Sequence, residues 1–158
     1  MVVGIISDTH DNIPALREGI KILKERGISC VFHLGDIISP FMVKELDVPC
    51  VYAVFGNNDG DKLLLKERFS ERGFRIFKGP HRIVYNGKKI LMMHEPFQLN
   101  RFKREDFDLI LFGHTHRVYI DEDKTLVINP GALSGYLAHE KTLVILDLNT
   151  MKPELIKL

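Results

Sequence analysis

Short apolar runs, each stopping abruptly at polar residues able to bind a metal, recur along this chain. Val2-Val3-Gly4-Ile5-Ile6 gives way to Ser7-Asp8-Thr9-His10, and Val31-Phe32-His33-Leu34 to Gly35-Asp36. Val51 to Phe55 ends in Gly56-Asn57-Asn58-Asp59, Ile90 to Met93 in His94-Glu95, and Leu109 to Phe112 in Gly113-His114-Thr115-His116. Apolar runs this short, cut off by turn formers, read as buried β-strands. Side chains two apart on an extended backbone share one side, so Asp8 and His10 are expected to point together from the first tip. Five strands that each end in donor side chains imply tips converging on a single site.

The intervals between the early strands read as helices. Asn12 caps a helix with Pro14 in its first turn; Leu16, Ile20, Ile22 and Leu23 recur at roughly helical spacing, and Gly27 ends it. Strand, helix, strand is the signature of a parallel crossover. Ser39-Pro40 opens a short helix through Leu46, Val48 to Phe55 is a third strand buried on both faces, and Asp61 to Arg72 is a helix closed by Gly73. The second half is richer in hairpins. Phe74 to Phe77 and Arg82 to Tyr85 are short strands, and Asn86-Gly87 is the strongest hairpin signal, leading into Lys89 to Met93. Glu95 to Asp106 is a polar loop or short helix, and Phe107 to Phe112 is another strand. Val118 to Ile120 pairs with Thr125 to Asn129, and Thr142 to Leu148 is followed by an edge strand near Leu155. Many strands with three or four helices predict an α/β fold, a four-layer sandwich of two packed mixed β-sheets flanked by helices.

The length of 158 residues is that of one domain, 1–158, able to bury a real core. A formal charge of +1, from 22 basic and 21 acidic residues, gives no strong nucleic-acid signal and no pull toward an anionic membrane. Neither the N-terminal apolar run nor any other approaches the ~18 residues of a membrane span, so a soluble cytoplasmic protein is expected. The two cysteines, Cys30 and Cys50, are expected as reduced thiols packed in the core.

The donors themselves narrow the chemistry. Carboxylate and amide oxygens are hard, imidazole nitrogen is borderline, and a mixture of Asp, Asn and His suits Mn, Fe, Zn, Co or Ni better than Mg alone. The absence of cysteine among them argues against structural zinc. Seven candidates, Asp8, His10, Asp36, Asn57, His94, His114 and His116, are too many for one such ion. Two ions about 3.5–4 Å apart, sharing one carboxylate, would use them all and would clamp both the attacking and the leaving oxygen of a phosphoryl displacement.

Asp8-Thr-His10, Gly35-Asp36, Gly56-Asn57-Asn58-Asp59, His94 and Gly113-His114-Thr-His116 resemble, in order and spacing, the signature blocks of the calcineurin-like metallophosphoesterases. The short chain, the opening Ile-Ile-Ser-Asp-Thr-His and Asn129-Pro130-Gly131 resemble the small prokaryotic phosphodiesterases of that superfamily, over residues 1 to about 135. The resemblance implies that Asp8, His10 and His116 hold one metal, that Asn57, His94 and His114 hold the second, and that Asp36 bridges them. It implies two divalent transition-metal ions, Mn2+ first among Ni2+, Fe2+, Co2+ and Zn2+, and attack on phosphorus by a hydroxide bridging them. Asn58 stands where the family usually carries a His that protonates the leaving group or contacts the phosphate. An amide donates a hydrogen bond and is no acid near neutrality. Asp59, water or a basic residue among Arg101, Lys103 and Arg104 takes that role, or good leaving groups are required. Glu95 stands where the family commonly has Gly, either orienting a ligand imidazole or facing solvent.

His33 either orients the site or is a hydrogen-bonded core histidine, whereas His81 and His139 carry no pattern. Asn129-Pro130-Gly131 reads as a turn ending a strand. The expected function is a dinuclear metal-dependent phosphodiesterase, with Asp36 and Asn58 at its catalytic centre, acting on small phosphodiester substrates. A phosphomonoesterase of the same fold and a noncatalytic interaction scaffold derived from it are the alternatives, and a homo-oligomer is in keeping with the resemblance although no stretch specifies one.

Overall fold

A computed structural model describes residues 1–158. The first half alternates strand and helix: β1 (Val2–Ile6), α1 (Ile13–Glu25), β2 (Cys30–His33), a 3₁₀ segment (Pro40–Glu45), β3 (Cys50–Val54), α2 (Lys62–Glu71) and β4 (Arg75–Phe77). The second half is mostly strand: β5 (His81–Tyr85), β6 (Lys88–Met92), β7 (Leu109–Leu111), β8 (Val118–Glu122), β9 (Leu126–Pro130), β10 (Thr142–Asp147) and β11 (Lys152–Lys157). They form a six-stranded sheet in the order β11-β10-β1-β2-β3-β4 and a five-stranded sheet in the order β5-β6-β7-β9-β8. In the first, β1 to β4 run parallel and β10 runs antiparallel to both its neighbours, β1 and β11; in the second, β6, β7 and β9 run parallel. Both sheets are therefore mixed, as expected, and β11 lies at an edge.

The period-two alternation explains why these strands are apolar throughout. In β2 and β3, Cys30, Phe32 and Val54 face the second sheet, whereas Val31, Val51 and Ala53 face the helices. In the second sheet, Ile90, Met92, Leu109 and Leu111 face the first sheet, whereas Leu91, Met93 and Ile110 face outward. That outward face is covered by Leu99, on a 3₁₀ turn at Pro96–Arg101, and by Phe102, between it and a second 3₁₀ turn at Arg104–Asp106. Four layers result, but the outermost is two 3₁₀ turns, so the α-helices number only two.

Helix α1 begins as its sequence indicates: the Asn12 side chain accepts from the Ala15 N–H at 3.2 Å, and Pro14 occupies the first turn. Leu16, Ile20 and Leu23 bury its inner face, and truncating any one to Ala is worth about 2–5 kcal/mol. One expectation is corrected here. Cys30 and Cys50 are direct partners in the β2–β3 register, with Cα atoms 4.5 Å apart, and form a disulfide rather than two separate thiols. Cys30 lies in the core as expected, and Cys50 packs at its margin. No helix is long and apolar enough to cross a membrane.

The parallel strands β1, β2 and β3 of one sheet and β6 and β7 of the other end at the same rim. Chain leaving that rim meets in the crevice beyond the carboxyl ends of the strands, where open α/β sheets bind ligands.

Candidate metal centre

Five of the seven donors reach the crevice through left-handed backbone rather than extended alternation. Asp8 has φ 54°, His10 41°, Asp36 57°, His114 68° and His116 59°. Asp8 and His10 therefore converge because the chain kinks at both, not because they alternate along a strand. Each such residue costs on the order of 1–2 kcal/mol, and Asp, Asn and His tolerate the region better than most. Neighbouring loops hold the kinks: the Asp8 N–H donates to Gly35 O at 3.0 Å and the His10 N–H to Asp36 O at 3.0 Å. Close approach also explains two motif glycines. A Cβ at Gly56 would run into the Asp36 carboxylate, and one at Gly113 would lie 2.9 Å from Asp8 Oδ2.

All seven candidates come together. Asp8 Oδ1 lies 3.1 Å from His116 Nε2 and 3.5 Å from His10 Nε2, and these two nitrogens are 3.2 Å apart. His94 Nε2 and Asn57 Oδ1 lie 3.3 and 3.1 Å from His114 Nδ1. Between the two groups stands Asp36 Oδ2, 3.4 Å from His10 Nε2 and 3.4 Å from His94 Nε2. Donors about 2.1 Å from a common ion stand roughly 3.0–3.4 Å apart in octahedral or tetrahedral geometry, so the spacing is that of coordination shells.

The hydrogen bonds behind the imidazoles fix which nitrogen is free. A carbonyl only accepts, so His116 Nδ1–H donates to Tyr136 O at 2.6 Å and His94 Nδ1–H donates to Leu34 O at 2.7 Å. In the neutral rings both Nε2 atoms then turn lone pairs inward. Asp8 Oδ1 is buried without any hydrogen-bond partner, directly facing one of them. Lone pairs at that separation repel unless a cation or a proton lies between, so the residues present fit a bound cation.

Charges at the site follow from the same contacts. Burial works to raise the Asp36 carboxyl, but the His94 imidazole beside it and the hydrogen bonds from Asn58 outweigh it and hold the group far below the usual range. Burial likewise works to raise Asp8 and is outweighed by His10 and Ser7. His10 is raised, chiefly by Asp8; His94 is raised because Asp36 overcomes the opposing effect of burial.

Several supporting residues have clear places. Asn58 donates to both Asp36 oxygens, from its side chain at 2.8 Å and its backbone N–H at 2.9 Å. Asp59 turns inward and accepts from the N–H groups of Gly56 at 2.6 Å, Ile38 at 2.7 Å and Asp36 at 3.2 Å, tying the Asp36 and Asn57 loops together. Burial raises its carboxyl. His33 is fully buried; its Nδ1 accepts from the Gly35 N–H at 3.2 Å, so Nε2–H donates to Thr9 Oγ1 at 3.1 Å. Burial pushes its pKa down to about 4, and it stands as a neutral strut behind the site.

Asn129 does more than end a strand. Its amide donates to Gly113 O and Thr115 Oγ1, both at 2.9 Å, and clamps the loop carrying His114 and His116. A buried Asn closing an apolar strand was the signal available for it. Tyr136, which orients His116 through its carbonyl, carried none. Glu95 makes no hydrogen bond to any of the imidazoles, and Arg104 is committed to Asp121 at 2.8 Å. His81 stacks on Phe77 with centroids 3.8 Å apart.

Two sheets whose rims deliver this donor set define a class. The calcineurin-like phosphoesterase superfamily domain matches residues 1–151, and the chain belongs to that superfamily, whose chemistry is metal-dependent phosphoester hydrolysis. Its affinities lie with the small prokaryotic phosphodiesterases. It is 36% identical over 154 residues to Phosphodiesterase MJ0936 of Methanocaldococcus jannaschii, with 93% of each chain covered. A solved archaeal phosphodiesterase, 32% identical, superimposes with a TM-score of 0.91 over 100% of both chains. The Escherichia coli phosphoesterase YfcE, 20% identical, shares the fold with a TM-score of 0.71 over 99% of this chain and 98% of its own.

Proposed function

We propose that this chain is a dinuclear metal-dependent phosphoric diester hydrolase acting on small phosphodiesters. The observation that carries the reading is the position of Asp36 Oδ2, 3.4 Å from a nitrogen of each donor group. Asp8, His10, Asp36 and His116 would hold one ion, and Asp36, Asn57, His94 and His114 the other. Bound there, two divalent cations lower the pKa of water enough to ionise it near neutrality and polarise the phosphoryl oxygens. The mixed oxygen and nitrogen donors suit Mn2+, Ni2+, Fe2+, Co2+ or Zn2+, and the superfamily resemblance puts Mn2+ first.

The chain's own groups prepare that chemistry. Asp36 stays ionised and is gripped by Asn58, so its carboxylate is oriented before any ion arrives. The carbonyls of Leu34 and Tyr136 keep His94 and His116 in the tautomers whose free nitrogens face the crevice. Asn58, at the rim of the site, has no proton to give an alkoxide, and Asp59 is engaged inward by three N–H groups. Substrates that leave as stable anions, such as aryl diesters, suit the site best.

Matched aryl diester and monoester substrates, assayed with added Mn2+ or Ni2+, test the reading. The diester should turn over faster, and Asp36→Asn should abolish that turnover while leaving the fold intact. A preference for the monoester would make the enzyme a phosphomonoesterase, and undiminished turnover in the variant would remove Asp36 from the mechanism. Purified protein retaining no transition metal would favour the noncatalytic scaffold.

A further inference from the structure

Beside the metal centre, a groove of about 310 Å³ opens on the far side of His116, large enough for a small organic group. Arg117 and Val118 form one wall; Leu137 and His139 form the other. Leu137 is 96% exposed and held at φ 54°, an apolar side chain kept in water on a left-handed backbone. The segment that presents it is not loose. Asn12 Nδ2 donates to Ser134 O at 3.0 Å, the Tyr136 N–H donates to Ser134 Oγ at 3.2 Å, and His116 holds Tyr136 O. The Tyr136 ring, half exposed, stands 6.4 Å from the His10 ring at the mouth of the site. A fixed, strained loop that displays Tyr136 and Leu137 to solvent beside the donor cluster has no packing reason to do so.

The charges in the groove point the same way. Arg117 is exposed and pairs with no carboxylate, unlike Arg104 with Asp121. Glu140, the only acid in the lining, is neutralised by Lys157 at 2.9 Å. A free guanidinium flanked by apolar side chains recognises a flat ring bearing acceptor oxygens, by stacking and by donating to them.

We propose that this groove is the subsite for one arm of the phosphodiester, and that the arm it takes is a nucleoside, its ring against Leu137 and Val118 and its acceptor oxygens on Arg117. The inference rests on the diesterase reading above and deepens it. Because His116 is common to the groove and the metal centre, an arm seated there keeps its phosphate at the donor cluster.

Two p-nitrophenyl diesters with the same leaving group, one methyl and one thymidine 5′-yl, test it against Arg117→Gln and Leu137→Asn, the latter keeping a residue tolerant of the left-handed backbone. The variants should raise KM for the thymidine ester by about tenfold and leave kcat/KM for the methyl ester within about twofold. Equal losses on both esters, or none on either, would overturn the subsite. Calorimetry separates the two readings. Metal-loaded protein should bind thymidine 5′-monophosphate more tightly than inorganic phosphate, and the variants should lose that advantage. Protein that hydrolyses neither ester yet shows this preference would sink the diesterase reading and keep the subsite; wild type without the preference would sink the subsite.

Discussion

His116 Nε2 and Asp8 Oδ1 face each other at 3.1 Å in the interior, and a neutral His116 places no hydrogen between them. With neither a cation nor a proton between them, that pair of lone pairs costs stability. Replacing Asp8 with Asn keeps an oxygen for the His114 N–H and Ser7, and turns an amide N–H toward the imidazole nitrogen. In chelator, Asp8→Asn should be more stable than wild type by about 1–3 kcal/mol in urea denaturation. With saturating Mn2+ the order should reverse, since the variant keeps the second donor group but loses a ligand of the first, and the wild type gains about 4 kcal/mol more from that ion at a thousandfold excess over Kd. A metal-free variant less stable than wild type would contradict this account of Asp8.

Asn58 sets a second expectation. Because it steadies Asp36 and supplies no proton, the rate should fall steeply as the leaving group of a diester series becomes more basic. Asn58→His should flatten that dependence, and Asn58→Ala should lower kcat about tenfold on every substrate through the lost grip on Asp36. An unchanged slope in the histidine variant would show that protonation of the leaving group does not limit the reaction.

The order of strands and donors was legible in the sequence because it depends on local signals. An apolar run cut off by Gly-Asp or Gly-His marks a strand tip wherever it occurs. How Asp8 and His10 turn inward was not legible, since their left-handed backbone is imposed by contacts with the Gly35–Asp36 loop, far along the chain. The Cys30–Cys50 pairing likewise depends on the register of two parallel strands, which no local pattern records. The inward turn of Asp59 and the hold of Tyr136 on His116 escaped for the same reason, each bridging segments distant in sequence, whereas His33 was legible as a hydrogen-bonded core histidine.

Stability should carry the mark of His33. Its folded pKa of about 4 lies below the ordinary 6.5, so between those values the unfolded chain binds a proton that the folded chain refuses. The contribution is fully present above about pH 6.5 and is lost as pH falls toward 4, a change of about 3 kcal/mol. Denaturation in chelator at pH 7 and pH 4.5 should show a smaller acid loss for His33→Gln than for wild type. Equal losses would mean that His33 does not titrate in this window.

Gly56 gives a steric test. Its Cβ would overlap the Asp36 carboxylate, so Gly56→Ala should displace that group, remove metal-dependent turnover and cost about 1–3 kcal/mol of stability. Activity within a few-fold of wild type would show that the carboxylate has room to move.

An anomalous-scattering map from a crystal soaked in Mn2+ tests the central claim most directly. Two peaks about 3.5–4 Å apart, on either side of Asp36 Oδ2, are expected, one also touching Asp8, His10 and His116 and the other Asn57, His94 and His114. A single peak, or peaks that leave the residue 36 carboxylate untouched, would contradict it.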